Sequence, residues 1–399
     1  DGQYQCIITE NDKQYIGKFS SEGGMQKTGP YDVVKNIYAP ITDSPVPMEG
    51  EDKQAQNLFK DKNGNYGYIL IQNGKASIMF GNNIINTDYT DMLEISFDYD
   101  KAGNLTYIAK SNGIFYSGYG NEFVVQGNKK WNDFNSVTAP VKFTKDNLPV
   151  YVITDSINDN TYISRLVVGN DVYKVMNSSK TVTIDGYSGG IFDVNISDNG
   201  GISFTGQAQI ISKNSDGYDE YSYKTVNVTN GVEGKAYYNQ GVKRYNKSGA
   251  GLFCGATDKS DRKISLFFSS GNDTKIVSEN KYDGINDYDF INGGSKYYYI
   301  GITYGDYEKG QRDKSDVYIA GDKVGTYESL LGQAGDNGLY SSIVFNNSGD
   351  YAFVSQKSTE KKVNGELSYQ YYCEVVSNKD SESPSLPNGK ENFEYIDNM

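Results

Sequence analysis

Three aspartates, Asp283, Asp287 and Asp289, cluster in the sequence just before a predicted first strand, and they carry the carboxylate oxygens that Ca²⁺ prefers as ligands. Residues 155–160 form a second segment rich in Asp and Asn. Such segments are also common in solvated turns that bind no metal. We therefore take Asp283, Asp287 and Asp289 as candidate calcium ligands, and we predict no other cofactor.

The segment Asp98–Gly103 begins like an EF-hand calcium loop but does not continue as one. Its fifth position is Ala102, which has no side-chain oxygen. Its twelfth position is Ala109, where an EF-hand needs a bidentate glutamate. We interpret this segment as a hairpin turn.

The chain has no histidine, which excludes several kinds of catalytic and metal site. Ser–His–Asp and Cys–His catalysis, His-ligated zinc and haem, and imidazole pH switches all need that residue. Glycoside hydrolysis by two carboxylates stays open because it needs no histidine. The 51 acidic residues give no basis for choosing a pair, so the catalytic residues are unknown.

Aromatic side chains that could stack on a sugar are mostly tyrosines, because Trp131 is the single tryptophan. Tyrosines are concentrated at 297–299 and 369–372. Tyrosine in strands usually packs on the half-buried surface of a sheet, and we favour that interpretation here.

Cys6, Cys254 and Cys373 form no metal-binding motif, and their odd number argues against a complete disulfide framework. Cys6 and Cys254 lie in apolar, strand-like runs, so we expect both to be buried free thiols. A Cys6–Cys373 disulfide between the two ends of the chain is the alternative.

The composition limits the partners that the chain could bind. Its 399 residues include 38 basic and 51 acidic ones, for a net charge of −13, which disfavours nucleic acid as a partner. No apolar run reaches the roughly 18 residues of a transmembrane helix. A chain so rich in Tyr, Asn and Gly and so poor in Cys is typical of a secreted or cell-surface protein, with the periplasm as the alternative location.

A short motif recurs along the chain and is the strongest indication of the fold. It consists of an aromatic residue, any residue, and then often a small one. Gly or another turn residue stands four positions before the aromatic one. Seven copies begin at Tyr68, Tyr107, Tyr151, Phe204, Phe253, Tyr299 and Phe353. An eighth copy, Gln5-Cys6-Ile7, lacks the aromatic residue.

Each copy is interpreted as the second strand of a β-hairpin, followed by two weaker strands. The copies are 39 to 54 residues apart, which is the length of a four-stranded propeller blade. The sequence therefore predicts an all-β protein, a single β-propeller domain over 1–399 with eight blades of four-stranded antiparallel sheets, or seven as the alternative. Tandem β-sandwiches and a β-helix fit the spacing less well.

The two ends of the chain are predicted to close the propeller. The first blade has three strands from the amino end, and Phe393–Ile396 could supply its missing inner strand. Residues 40–56 are interpreted as a long polar loop and 379–392 as a flexible tether or tail.

The apolar strand, Asp/Asn–Gly turn and aromatic-x-small pattern, seen best at Tyr31–Val34 and Phe345–Val354, resembles the WD40-like β-propeller (PD40) repeats of the TolB type. The resemblance covers nearly the whole chain, although the Phe-Ser-Pro-Asp-Gly consensus is absent. It implies a propeller that serves as a binding platform for varied partners.

We therefore expect a secreted or cell-surface scaffold that binds proteins or assembles in an envelope, without catalysis. The alternative is a carbohydrate-active enzyme, a glycoside hydrolase or lyase, with paired carboxylates in the propeller channel. An accessory subunit of an envelope complex would show a large apolar patch.

Overall fold

The computed structural model describes most of the chain. The described ranges are 4–19, 24–39, 58–115, 121–158, 161–213, 218–238, 240–258, 260–271, 273–306, 309, 311–330, 343–363 and 366–378. Within them the chain forms β-strands and turns, one short 3₁₀ segment at Ile291–Gly293 and no α-helix. These ranges also include no helix with the length and apolar character needed to cross a membrane. The all-β prediction is confirmed.

The chain forms two compact units. The first contains Asp1–Ser222 with Gly231–Glu233, and the second contains Tyr223–Asn230 with Gly234–Met399. The predicted loop at 40–56, tether at 379–392 and closing strand Phe393–Ile396 lie outside the described residues. A single domain over 1–399 stays a prediction.

Twenty strands lie wholly in the first unit. They are β1 (Tyr4–Glu10), β2 (Lys13–Phe19), β3 (Met25–Tyr31), β4 (Val33–Asn36), β5 (Gly67–Gln72), β6 (Lys75–Phe80), β7 (Asn83–Asn86), β8 (Asp91–Met92), β9 (Asp98–Tyr99), β10 (Leu105–Lys110), β11 (Glu122–Gln126), β12 (Lys129–Lys130), β13 (Ser136–Phe143), β14 (Pro149–Asn158), β15 (Thr161–Val168), β16 (Asp171–Val172), β17 (Val175–Met176), β18 (Thr183–Ile184), β19 (Gly190–Ile196) and β20 (Ile202–Lys213).

Two further strands, β21 (Asp219–Thr229) and β22 (Val232–Tyr237), contain residues of both units. The strands of the second unit are β23 (Arg244–Tyr245), β24 (Gly251–Gly255), β25 (Ser265–Ser270), β26 (Asp273–Ile276), β27 (Gly284–Phe290), β28 (Tyr297–Thr303), β29 (Lys314–Ile319), β30 (Asp322–Tyr327), β31 (Ser329–Leu330), β32 (Ile343–Phe345), β33 (Tyr351–Val363) and β34 (Glu366–Ser377).

Five sheets share one plan, in which four strands follow one another in chain order and pair antiparallel. Four of them are continuous: β4–β7, β13–β16, β23–β26 and β27–β30. In the fifth the first strand is divided, so that β8 and β9 both pair with β10, which is followed by β11 and β12. The last sheet also has a divided first strand, because β31 and β32 both pair with β33, but only β34 follows β33 in the described residues. The predicted four-stranded antiparallel sheets are confirmed.

The remaining strands of the first unit form smaller ladders. The amino-terminal sheet has three strands in the order β1-β2-β3, as the sequence predicts for an incomplete first blade. Further along, β17 pairs with β18 and β19 pairs with β20, both antiparallel.

A tight turn comes directly before the second strand of most sheets, and in several of them a glycine takes a positive φ there. Gly103 has φ +82°, and its N–H donates to the carbonyl of Asp100 at 2.9 Å. Five such turns have a glycine with φ between +82° and +86°, a conformation that costs a residue with a Cβ about 1 kcal/mol or more. The predicted hairpins with glycine four positions before the motif are therefore confirmed.

The aromatic residues that begin the motif are buried in both units. All seven are 5% exposed or less. The third position is small because a tyrosine ring lies over it in at least two sheets. A Cβ added at Gly206 would lie 2.4 Å from Tyr187 Cε1, and one at Gly301 would lie 2.5 Å from Tyr282 Cζ. The motif thus reflects two packing requirements. Its first position must supply a buried ring, and its third position must leave space for a second ring.

Candidate functional site

Hydrogen bonds between consecutive hairpin turns set the direction of the strands that follow. In the first unit Lys62 Nζ donates to Gly103 O at 2.8 Å, and Asn147 Nδ2 donates to Asp100 Oδ2 at 3.0 Å. The turns before β5, β10 and β14 therefore lie side by side. These three strands start at one end of the unit and run in the same direction.

The second unit repeats this arrangement. Asn246 Nδ2 donates to Gly294 O at 3.1 Å, and Asn292 Nδ2 donates to Asn346 O at 2.9 Å. The strands β24, β28 and β33 consequently also start side by side. With a common start, the length of each strand decides how far it reaches at the opposite end.

In each unit some hairpins are much longer than their neighbours. In the first unit β5 and β10 have 6 residues, whereas β14 has 10 and β20 has 12. In the second unit β24 has 5 residues and β33 has 13. At roughly 3.3 Å per residue, β14 extends about 13 Å beyond β10. We call the ends of β14–β15 and of β20, with Tyr218 and the start of β21, the projecting tips.

The projecting tips expose large side chains. Ile157 is 54% exposed and Tyr218 is 74% exposed. An isolated two-stranded hairpin is at best marginally stable in water, because it has no sheet face to bury. The tips extend beyond the sheets and expose Ile157 and Tyr218. They therefore form a surface suited to contact with another molecule.

A buried ionic group lies at the same end of the first unit. Lys110 ends β10, and its register partners are Asp91 of β8 and Glu122 of β11. Lys35 of β4 reaches this group from the neighbouring sheet, with its Nζ 2.9 Å and 3.0 Å from the two carboxylate oxygens of Asp91. Glu94, in the segment between β8 and β9, lies 3.7 Å from the same Nζ.

Backbone N–H groups hold the two most buried carboxylates of this group. Asp91 is 0% exposed and accepts the N–H of Met92 at 2.8 Å and of Phe115 at 2.9 Å. Glu122 accepts the N–H of Val137 at 2.8 Å and lies 3.7 Å from Lys110 Nζ. Burial raises the pKa of Glu122, against the opposing effect of the Val137 N–H and of Lys110. Each carboxylate thus has a lysine and a backbone N–H as partners.

The structure places the predicted calcium ligands in a strand. Asp283 directly precedes β27, while Asp287 and Asp289 lie within it, so the expectation that all three come before the strand is wrong. Their carboxylates accept from Tyr304 N, Tyr298 Oη and Phe290 N, respectively. The described part of the chain has no group of three Cys, Asp or Glu side chains arranged to hold a metal. A calcium site here stays a prediction.

The EF-hand-like segment is a hairpin turn, as we interpreted it. Burial acts to raise the pKa of Asp100, but hydrogen bonds from Asn104, Gln126 and Asn147 outweigh it and lower that pKa to about 2. In the other Asp-rich segment, Asp155 Oδ2 lies 2.8 Å from Arg165 Nη1, and positions 159–160 lie outside the described residues.

The tyrosine runs and cysteines are placed mostly as expected. Tyr298 and Tyr299 are buried in β28, in agreement with the packing interpretation, while the side chains of 369–372 lie outside the described residues. Cys254 is buried, as predicted.

Two cysteine predictions are wrong. Cys6 is exposed, because β1 lies at the edge of a sheet that has only three described strands. Cys6 and Cys373 are both free thiols, so the alternative disulfide is not formed.

The sequence analysis did not identify the Lys35–Asp91 pair. The available signal was a charge inside an apolar strand, such as Lys110 after Ile108-Ala109, or Asp91 before Met92-Leu93. That signal does not say which charges meet, because the partners come from different sheets.

Comparisons with known proteins assign no family to this chain. No protein-family model matches the sequence, and no curated protein matches it. One solved structure to which it is similar comes from a study of two prolyl endopeptidases, with a TM-score of 0.38 and 11% identity. The similarity covers 81% of this chain and 50% of that one, so the chain spans about half of its length. A TM-score of this size supports neither a fold nor an activity for this chain.

Proposed function

We propose that the sheets are blades of a β-propeller of the WD40-like type, eight in number, closed by pairing of Phe393–Ile396 with β1. Support comes from the five sheets built on the four-strand plan and from the repeated turn before the second strand. The three-stranded sheet β1–β3, with one strand fewer than those five, supports closure at the amino end.

We further propose that the chain is a secreted or cell-surface module that binds a protein partner through the projecting tips. The observation that carries this proposal is the extension of β14 well beyond β5 and β10, together with the 12-residue strand β20, with Ile157 and Tyr218 exposed at the tips. Tyr is enriched at protein interfaces because its ring buries a large area at a low entropy cost. For the carbohydrate-active alternative, Asp91 and Glu122 are unsuited as the catalytic pair, because each already has a lysine partner.

Site-specific photo-crosslinking tests the binding surface. A photoreactive phenylalanine analogue replaces Ile157 or Tyr218 in the full chain, and the producing cells are irradiated. The matched control replaces Ile84, which is 41% exposed on the edge strand β7 and lies away from the tips. We expect a discrete cross-linked protein from both tip positions and none from position 84. Equal labelling at all three positions, or labelling at position 84 only, would refute the proposal.

Surface labelling of intact cells tests the location separately. A membrane-impermeant amine reagent should modify this chain and leave a cytoplasmic protein of the same cells unmodified. Protection of the chain until the cells are lysed would contradict the proposed location.

A further inference from the structure

Lys35, Asp91 and Glu94 form a group whose geometry suits a covalent reaction. The Lys35 Nζ lies 2.9 Å and 3.0 Å from the two oxygens of Asp91, so the amine is in contact with both oxygens bound to the carboxyl carbon. Glu94 Oε1 lies 3.7 Å from the same nitrogen. A nucleophilic amine, an acyl carbon and a second carboxylate that can carry protons are therefore held together by the fold.

This group is much less exposed to solvent than an ordinary surface ion pair. The side chain of Asp91 is 0% exposed, and those of Lys35 and Glu94 are 19% and 14% exposed. By comparison, the exposures in the Lys75–Asp88 pair are 62% and 91%. This low exposure limits the access of the water that would hydrolyse an amide.

The backbone holds the carboxyl group of Asp91 in place for attack. The N–H of Met92 donates to Oδ1, and the N–H of Phe115 donates to Oδ2. Donors of this kind stabilise the negative charge that develops on oxygen when a nucleophile adds to a carbonyl carbon. The segment that carries Glu94 is tied to the first strand of the neighbouring sheet, because Tyr38 N donates to Glu94 O at 3.0 Å.

We propose that Lys35 and Asp91 condense to an isopeptide bond, with Glu94 as the proton carrier. The Lys35 ammonium first transfers one proton to the Asp91 carboxylate. The neutral Nζ then attacks Cγ, and Glu94 moves a second proton from nitrogen to the departing hydroxyl. One C–N bond forms, one C–O bond breaks and one water leaves, with no change of oxidation state. The product joins β4 to β8 covalently.

The intact mass of the unmodified full-length chain tests this directly, because it needs no variant. Purified protein, fully denatured, should be lighter than its sequence by the mass of one water. Proteolysis should give a branched peptide that joins Lys35 to Asp91. A mass equal to the sequence after prolonged incubation of the folded protein would overturn the proposal. So would a water loss that maps to a succinimide or to any other residue pair.

Variants assign the roles. Lys35→Met should abolish the mass loss. Glu94→Gln should abolish or greatly slow it while the β-sheet circular dichroism stays unchanged. Asp91→Asn should release ammonia in place of water, which changes the mass by a different amount. Glu122→Gln, which alters the neighbouring ion pair with its 3.7 Å separation, should leave the reaction intact. Cross-linking at the normal rate in Glu94→Gln, or any cross-link in Lys35→Met, contradicts the mechanism.

Discussion

Replacing Asp100 with asparagine should weaken a polar link between two neighbouring hairpin turns, in which Asn147 donates to the Asp100 carboxylate. Asp100 is 5% exposed, and its Oδ2 accepts from Asn104 Nδ2 at 2.9 Å, Gln126 Nε2 at 2.8 Å and Asn147 Nδ2 at 3.0 Å. Its Oδ1 accepts the Asn104 N–H at 2.7 Å. An asparagine can keep the Oδ1 bond, but its own NH₂ group would then face three other donors.

The expected loss follows from those three bonds. A hydrogen bond to a charged group contributes about 1.5–3 kcal/mol, but the amide donors can partly turn to water, so we expect a total loss of about 2–4 kcal/mol at neutral pH. The lowered pKa gives an independent figure. A pKa of about 2 in the folded state, against roughly 3.9 in the unfolded chain, corresponds to about 2–3 kcal/mol.

The sign of the pH dependence also follows. Because folding lowers the pKa of Asp100, its contribution is fully present above the unfolded-state pKa and is lost as pH falls through about 2. Asp100→Asn should therefore lower the unfolding free energy at neutral pH. It should also flatten the decline of stability between about pH 5 and pH 2.

Asp61→Asn is the matched control. Asp61 occupies the same position in the preceding turn, and its carboxylate accepts from Asn63 N, Asn65 N and Asn65 Nδ2, all within that turn. Its replacement can keep both backbone bonds and loses one side-chain bond, so we expect a loss of about 1 kcal/mol or less.

Urea denaturation followed by tryptophan fluorescence measures both variants. Trp131 is the chain's only tryptophan, and it is buried in a core of the first unit together with Ile108 and Tyr151. Equal destabilisation by Asp100→Asn and Asp61→Asn would refute the inter-turn argument. So would a pH profile of Asp100→Asn that runs parallel to the wild type.

Two further predictions concern packing and thiol reactivity. Gly301→Ala should cost about 1–3 kcal/mol, because its Cβ would lie 2.5 Å from the Tyr282 ring. Gly255→Ala occupies the same motif position, with its nearest neighbour, Tyr238 O, at 3.5 Å. It should change stability by under about 1 kcal/mol. Thermal unfolding followed by circular dichroism compares the two, and equal effects would contradict this reasoning. In a thiol assay Cys6 and Cys373 should react in the folded protein, whereas burial raises the pKa of the Cys254 thiol and should delay its reaction until unfolding. Three thiols that react at one rate would count against the structure.

The features that were predicted correctly depend on residues close together in the chain. The turn glycines and the buried aromatic residues of the motif were recognisable because a hairpin is a local structure. The same locality explains why Asp98–Gly103 could be interpreted as a turn and not as a metal site.

The features that were missed depend on neighbouring sheets. The aromatic residues Phe134, Tyr187 and Tyr282 stand 17 positions before Tyr151, Phe204 and Tyr299, a regularity present in the sequence. This spacing can be interpreted as a packing contact only when the chain path between consecutive sheets is known. The exposure of Cys6 was mispredicted for a related reason, since its apolar neighbours say nothing about which strand lies at an edge.

The sequence by itself determined the class of structure: β-strands, hairpin turns at defined glycines and sheets of four strands. Those features follow from backbone conformation and from the alternation of side chains over a few residues. Only the tertiary structure decided which charges meet and which hairpins project. Lys35 and Asp91 are far apart in the chain, and the partner of a buried charge is set by how sheets pack, which no local pattern encodes.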